Sequence, residues 1–244
     1  MGVTPLSIVI FKINLILKLK STYYFFILLI SLSACRETHI DKKHKKLAPK
    51  PVKENIPKRQ ASDWVELQSL DSSFVYDIRY ATTNNFVHKK MYPCAKCYVR
   101  RVVAEALLKV QKELRTKSLR LKLFDCYRPG KVQKALWAMR PDPRYVADPK
   151  RGSMHNRGLA VDLTIVDANG KELNMGTTFD YFGKKAYHSY KKLPDTVLKN
   201  RLFLKNIMQK YDLEPITSEW WHYSYRKKTY PVAQWIWRCP NTEK

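Results

Sequence analysis

The chain has 244 residues, 45% of them hydrophobic and 12% aromatic, and 46 Lys and Arg against 21 Asp and Glu give a formal net charge of +25. That apolar content excludes wholesale disorder, collagen-like structure and a disulfide-stapled mini-protein, and the length allows one domain of ordinary size or at most two. The basicity is spread along the chain, with 34 Lys and Arg against 18 Asp and Glu in residues 63–244. A field of that sign attracts polyanions. No zinc-finger spacing, RNA-binding signature or basic-aromatic ladder accompanies it, so no nucleic-acid partner is expected and the charge reads as a solvated surface.

The N-terminus carries a lysine-bearing leader and an apolar run from Tyr23 to Ser33. A run of about a dozen residues is too short to span a bilayer comfortably as a mature helix, so it reads as an export signal. It ends in Leu32-Ser33-Ala34-Cys35, which resembles the bacterial lipobox. On that reading residues 1–34 are a signal peptide and Cys35 receives the lipid. The protein is then held on a membrane of the bacterial cell envelope, on its periplasmic or cell-surface side. A plain secretory signal and an uncleaved anchor are the alternatives. Residues 35–62 are rich in Lys, contain Pro49, Pro51 and Pro57, and nearly lack large apolar side chains, so they read as a flexible tether. Residues 63–244 form the folded domain.

Within it, Val103, Leu107, Val110 and Leu114 share one face of a helix over 102–114. Residues 119–123 alternate as a half-buried strand does and lead into Asp125-Cys126-Tyr127-Arg128-Pro129. A second helix fits 131–139. Residues 160–166 alternate again, and Asp167-Ala168-Asn169-Gly170 has the turn chemistry of a hairpin. A third helix fits 196–211, with Asp195 as its cap after Pro194, and a last strand covers 221–225. The fold class is α+β, a single domain with a small antiparallel sheet flanked by helices, because the strands are too short and closely linked for a doubly wound parallel sheet.

Two clusters carry the chemistry: Ser153-Met154-His155-Asn156-Arg157-Gly158-Leu159-Ala160-Val161-Asp162, and Glu219-Trp220-Trp221-His222. Together they offer two imidazoles and two carboxylates, which suits a catalytic zinc with three N/O ligands and a nearby base. Asp162 lies on the strand face opposite Val161, Leu163 and Ile165 and can point into a cleft. Glu219 and His222, three apart, would fall on opposite faces of a regular strand, so a bend or bulge between them is expected. His39, His44, His88 and His188 read as ordinary hydrogen-bonded residues, and Trp220, Trp221, Trp235 and Trp237 as core or cleft walls. Cys94, Cys97, Cys126 and Cys239 are expected to form at least one disulfide outside the cytoplasm, with a structural zinc at Cys94-x-x-Cys97 or a buried Cys126 thiol as the alternatives.

The pattern Ser-x-His-x-x-Gly-x-Ala-x-Asp followed by Glu-x-Trp-His resembles the zinc D-alanyl-D-alanine peptidases. The segments at 77–86, 125–129, 175–180 and 219–223 narrow the resemblance to the D-alanyl-D-alanine dipeptidases. It covers nearly all of 64–238. The resemblance implies a hedgehog-like fold with one zinc in a cleft, held by His155, Asp162 and His222. It further implies Glu219 as general base and Arg128 as the group that stabilises the oxyanion. Tyr80 and Asp180 would receive the substrate ammonium, and Ser153 and Tyr92 would lie near its carboxylate. The implied activity is hydrolysis of the D-alanyl-D-alanine dipeptide in cell-wall precursor metabolism or glycopeptide resistance. A carboxypeptidase acting on peptidoglycan peptides and an inactive surface-binding module are the alternatives. For Arg128 the bland reading is a structural salt bridge with Asp125.

Overall fold

A computed structural model describes residues 63–240; the signal, the tether and Cys35 lie outside them. Strand β1 (Trp64–Glu66) pairs antiparallel with β3 (Tyr98–Arg100) in a two-stranded sheet. The main sheet has five strands in the order β2-β4-β5-β7-β6, where β2 is Val75–Tyr76, β4 Arg120–Asp125, β5 Ala160–Val166, β6 Leu213–Ile216 and β7 Glu219–Tyr225. Four of the strands pair antiparallel, as expected. The expectation of a purely antiparallel sheet needs one correction: β2 runs parallel to β4. The chain between them crosses over through β3 and α1 (Arg101–Arg115), a connection long enough for parallel neighbours.

The helix expected over 102–114 is α1, and its buried face carries Val103, Leu107, Val110 and Leu114. It also carries Gln111, fully buried, whose Nε2 donates to Ser73 Oγ at 2.8 Å while its Oε1 accepts the Leu121 N–H at 2.9 Å. A buried amide with both ends satisfied fixes the height of the helix against β4. Helix α2 (Gly130–Met139) begins at Gly130, against Gln234 of the C-terminal segment. Helix α3 (Asp195–Lys210) packs on β6 and β7. Asp195 is not its cap: the Pro194 carbonyl accepts the N–H groups of Val197 and Leu198, and Asp195 sits in the first turn. There its charge still favours the helix N-terminus.

Every residue of β5 is buried, those on the Asp162 face as well as Val161, Leu163 and Ile165, and the strand lies in the middle of the sheet. Past β7 the chain folds back over the domain. Trp235 stacks on Tyr127 with centroids 4.7 Å apart and accepts the Tyr127 hydroxyl on its carbonyl at 2.7 Å. Two disulfides, Cys94–Cys239 and Cys97–Cys126, tie the unit together. The cysteine expectation is met, and neither a Cys94/Cys97 zinc nor a free Cys126 thiol survives. Among the described residues no helix is long and apolar enough to cross a membrane.

Candidate active site

Three neighbouring strands carry the centre of the site in one row. Asp125 on β4 pairs with Asp162 on β5, and Asp162 pairs with His222 on β7. The β4/β5 register shifts between Leu123 and Asp125. On the other side, Ile216 pairs with Glu219 but Pro215 with Tyr223, so β7 bulges between Glu219 and Tyr223. That is the bulge the Glu219/His222 spacing called for, and both side chains reach one cleft.

His155 arrives from a short 3-10 turn, His155–Arg157, closed by Gly158 in the left-handed region at φ 70°. A side chain at Gly158 would collide with the Trp64 ring as well as strain the backbone. His155 Nδ1 donates to the Cys126 carbonyl at 2.8 Å, which turns Nε2 toward His222 Nδ1 at 3.1 Å and Asp162 Oδ1 at 3.3 Å. His222 Nδ1 lies 3.0 Å from Asp162 Oδ1. Among the described residues, His155, Asp162 and His222 form a group whose donor atoms all lie within 4.8 Å of one another, and all three are buried. Two imidazole nitrogens and a carboxylate oxygen so converged, with the back of one ring already bonded to a carbonyl, make a set that fits a divalent metal.

Electrostatics in the cleft is dominated by burial. Burial opposes the Asp162 charge, yet His155 and His222 hold its pKa well below the usual carboxylate range. Burial, then the Asp162 and Asp180 charges, push Glu219 well above it. Burial and Asp162 push Asp180 up to about 7. Asp180 also holds a left-handed φ of 57°, a strained conformation for a residue with a side chain, and accepts the Tyr80 hydroxyl at 3.0 Å.

Arg128 is buried and pinned. Its Nε and Nη2 donate to Asp125 Oδ2 at 2.9 and 2.7 Å and its Nη1 donates to Gln133 Oε1 at 3.1 Å, while Nη2 lies 3.7 Å from Asp162 Oδ2. The salt bridge with Asp125 therefore exists, and it holds a guanidinium that also lines the cleft. Ser153 Oγ donates to Asn156 Oδ1 at 3.0 Å, and Asn156 Nδ2 donates to the Arg128 carbonyl at 2.7 Å.

One cavity of about 300 Å3 is lined by Tyr80, Arg128, Ser153, His155, Asp162, Asp180, Glu219 and His222, every expected cleft residue but one. The exception is Tyr92, which does not line the cavity: its hydroxyl donates to Asp125 Oδ1 at 2.6 Å, so it braces the carboxylate behind Arg128. Trp221 walls the cleft as expected, and Phe86, Arg144, Tyr145 and Phe182 complete its rim. Sequence reading named Asp125 as a partner of Arg128 but missed the bracing roles of Gln133 and Asn156. Their one signal is adjacency to Arg128 and His155 along the chain.

A sequence model of the peptidase M15 D-ala-D-ala dipeptidase family matches residues 60–238. The chain belongs to this family. It is 34% identical over 179 residues to a D-alanyl-D-alanine dipeptidase of Escherichia coli strain K12, covering 73% of this chain and 93% of that protein. A D-alanyl-D-alanine dipeptidase of Enterococcus faecium is 32% identical over 183 residues, covering 64% of this chain and 88% of that protein. The E. coli alignment spans nearly the whole of that dipeptidase. Among solved structures, a mutant of the vancomycin resistance D,D-pentapeptidase VanY in complex with Zn(II) is 15% identical over 53% of this chain and 73% of that one. Its TM-score of 0.33 is too low to bear on the fold.

Proposed function

We propose that this dipeptidase-family chain is a zinc enzyme that hydrolyses free D-alanyl-D-alanine to two D-alanines. The observation that carries the reading is the convergence of His155, Asp162 and His222 at the base of a cleft that Glu219, Arg128, Asp180 and Tyr80 also line. His155, Asp162 and His222 would hold one zinc in the hedgehog-like cleft, and when bound the ion supplies a water acidified to a pKa of about 7 and polarises the peptide carbonyl.

The chain's own residues account for the rest. Glu219, whose burial raises the proton affinity of its carboxylate, takes a proton in its ionised form during attack and returns it to the leaving amine. Arg128 is held by Asp125 and Gln133 before substrate arrives, so its donors face developing negative charge without reorganising. Asp180 and Tyr80 receive the substrate ammonium. Burial, and after it the Asp162 charge, hold Asp180 partly protonated, and an arriving cation favours its ionised form. Ser153 is positioned toward the substrate carboxylate. An acylated amine would leave Asp180 buried without its counter-charge, which confines the site to free dipeptides.

The reading extends to location. Export and lipidation at Cys35 would place the domain on the envelope side of a membrane at the end of the 35–62 tether; the support is the lipobox-like Leu32-Ser33-Ala34-Cys35.

The test compares free D-alanyl-D-alanine with its N-acetyl derivative and with peptidoglycan stem peptides. The expected result is turnover of the free dipeptide and at least about 100-fold lower kcat/KM for the capped one, the scale of loss when a buried polar partner goes unpaired. Comparable rates would sink the dipeptidase assignment in favour of a carboxypeptidase.

A further inference from the structure

Away from the cleft, α3 and the loop before it enclose a second cavity of about 210 Å3, lined by His188, Lys191, Lys199, Arg201, Leu202 and Lys205. Four permanent cations face it and no acid does. Residues 184–210 carry seven Lys and one Arg against the single acid Asp195. The lysine ion pairs of the described residues run through Lys96, Lys122, Lys210 and Lys227, leaving Lys191, Lys199 and Lys205 without a carboxylate among those residues.

The cavity is more than a patch of surface lysines, because one of its charged side chains, Arg201, is buried and a ring nitrogen of His188 is buried as well. Arg201 is 4% exposed. Its Nε donates to the Met175 carbonyl at 2.7 Å and its Nη1 to the Tyr187 carbonyl at 3.3 Å. Carbonyls satisfy donors but supply no counter-charge, and its buried Nη2 has no protein partner. Burial lowers the Arg201 pKa to about 10. His188 likewise keeps a buried Nε2 without a protein partner, and burial, then Lys205, Arg201 and Lys191, push its pKa down to about 4. A buried cation retained with no anion beside it is costly in a free-standing fold. Here the missing element is one negative group placed against all four cations.

We propose that this cavity is a binding site for a phosphate group, separate from the dipeptide cleft. A carboxylate offers two oxygens and one charge, too few for four cations and an imidazole. A phosphate offers three or more acceptor oxygens about one centre and up to two charges. Leu202, 56% exposed at the rim, leaves an apolar shoulder for the ester side of such a group. The phosphate can come from a soluble ester or ion or from an anionic lipid headgroup, and the two sources are separable by experiment.

The experiment follows the imidazole resonances of the full chain, labelled with 15N at its histidines, at constant chloride concentration. With inorganic phosphate, or with dihexanoyl phosphatidic acid, a phosphomonoester, below its micelle threshold, the His188 signals are expected to move saturably. The His155 and His222 signals report separately any binding in the dipeptide cleft. A Lys191→Gln, Lys205→Gln double variant should weaken binding at His188 at least tenfold and leave dipeptide hydrolysis unchanged, which also shows that the variant is folded. Tighter binding of the phosphatidic acid than of inorganic phosphate assigns the site to a lipid headgroup, and the reverse order to a soluble phosphate. The proposal is overturned if neither probe moves His188 saturably, or if the double variant binds as tightly as the parent.

Discussion

Asp162 and His222 stand directly opposite each other across β5 and β7, and the aspartate Oδ1 lies 3.0 Å from the imidazole Nδ1. A cross-strand pair is the most rigid way to fix two side chains that are sixty residues apart in sequence, because sheet register sets their separation. The third donor, His155, comes from a turn and depends on the Cys126 carbonyl for its orientation. The metal group is thus two parts sheet and one part loop.

Removing the sheet-borne charge should therefore release the metal. Asp162→Ala takes away the one carboxylate of the group and leaves two neutral imidazoles. Zinc affinity is expected to fall by more than about 100-fold, beyond the 10- to 100-fold typical of losing an outer partner. Metal analysis after dialysis against a weak chelator reads this directly, and a variant that keeps stoichiometric zinc would remove Asp162 from the ligand set.

Glu219 is the counterpart. It lies within the cleft, its Oε2 3.9 Å from His222 Nδ1, but it is not one of the three residues whose donor atoms converge within 4.8 Å of one another. Glu219→Gln is expected to lower kcat by roughly 10²- to 10⁴-fold, the usual contribution of a positioned acid-base group, with zinc content unchanged. Loss of both together would make Glu219 a ligand instead.

Much of this was legible before any coordinates. The 3.6-residue period marks α1 and α3 because each has one core-facing stripe. The three-residue spacing of Glu219 and His222 forces a bulge once both are required in one cleft, and the bulge is there. Burial on both faces of β5 was not legible, since alternation in its sequence says nothing of what covers the other side. The parallel β2/β4 pair rests on two residues, Val75 and Tyr76, too few to carry a pattern. Tyr92 was misplaced for a related reason: a tyrosine near a motif has no direction until Asp125 is seen to accept its hydroxyl.

The raised carboxyls give the metal-free protein a distinctive pH response. In the folded chain burial, then Asp162, push the Asp180 pKa up to about 7 from an ordinary value of 3.8. Between those values the unfolded chain has already lost the proton that the folded chain keeps. Asp180 therefore contributes stability that is fully present below about pH 4 and lost as pH rises through about 7. His188, held at about 4, works in the opposite sense, losing stability as pH falls from about 6.5. The observable is then a difference: the gain in Tm of metal-free Asp180→Asn over the parent should grow from pH 4 to pH 7. A gain that is flat or shrinks over that range contradicts the shift.

The two disulfides should separate stability from metal binding. Cys94–Cys239 closes a sequence separation of 145 residues and Cys97–Cys126 one of 29. On chain-entropy grounds their contributions are roughly 5 and roughly 3.6 kcal/mol, so losing the longer loop should be the more destabilising. Metal binding should rank the other way. Cys97–Cys126 anchors the residue whose carbonyl accepts the His155 Nδ1 proton at 2.8 Å, and the next residues are Tyr127 and Arg128, whose N–H groups bond the Tyr98 and His155 carbonyls. Cys94–Cys239 instead ties down the C-terminal segment, whose tryptophans pack on Tyr98 and Tyr127 outside the donor group. Cys97→Ser with Cys126→Ser is expected to weaken zinc binding about tenfold, in the range for loosening an outer partner of a ligating histidine. Cys94→Ser with Cys239→Ser should lower Tm further while leaving zinc affinity within about twofold of the parent. If loss of Cys94–Cys239 proves the more damaging in both measurements, the Cys126 carbonyl does not orient His155 through its disulfide, and the imidazole must be held by the 3-10 turn and Gly158 alone.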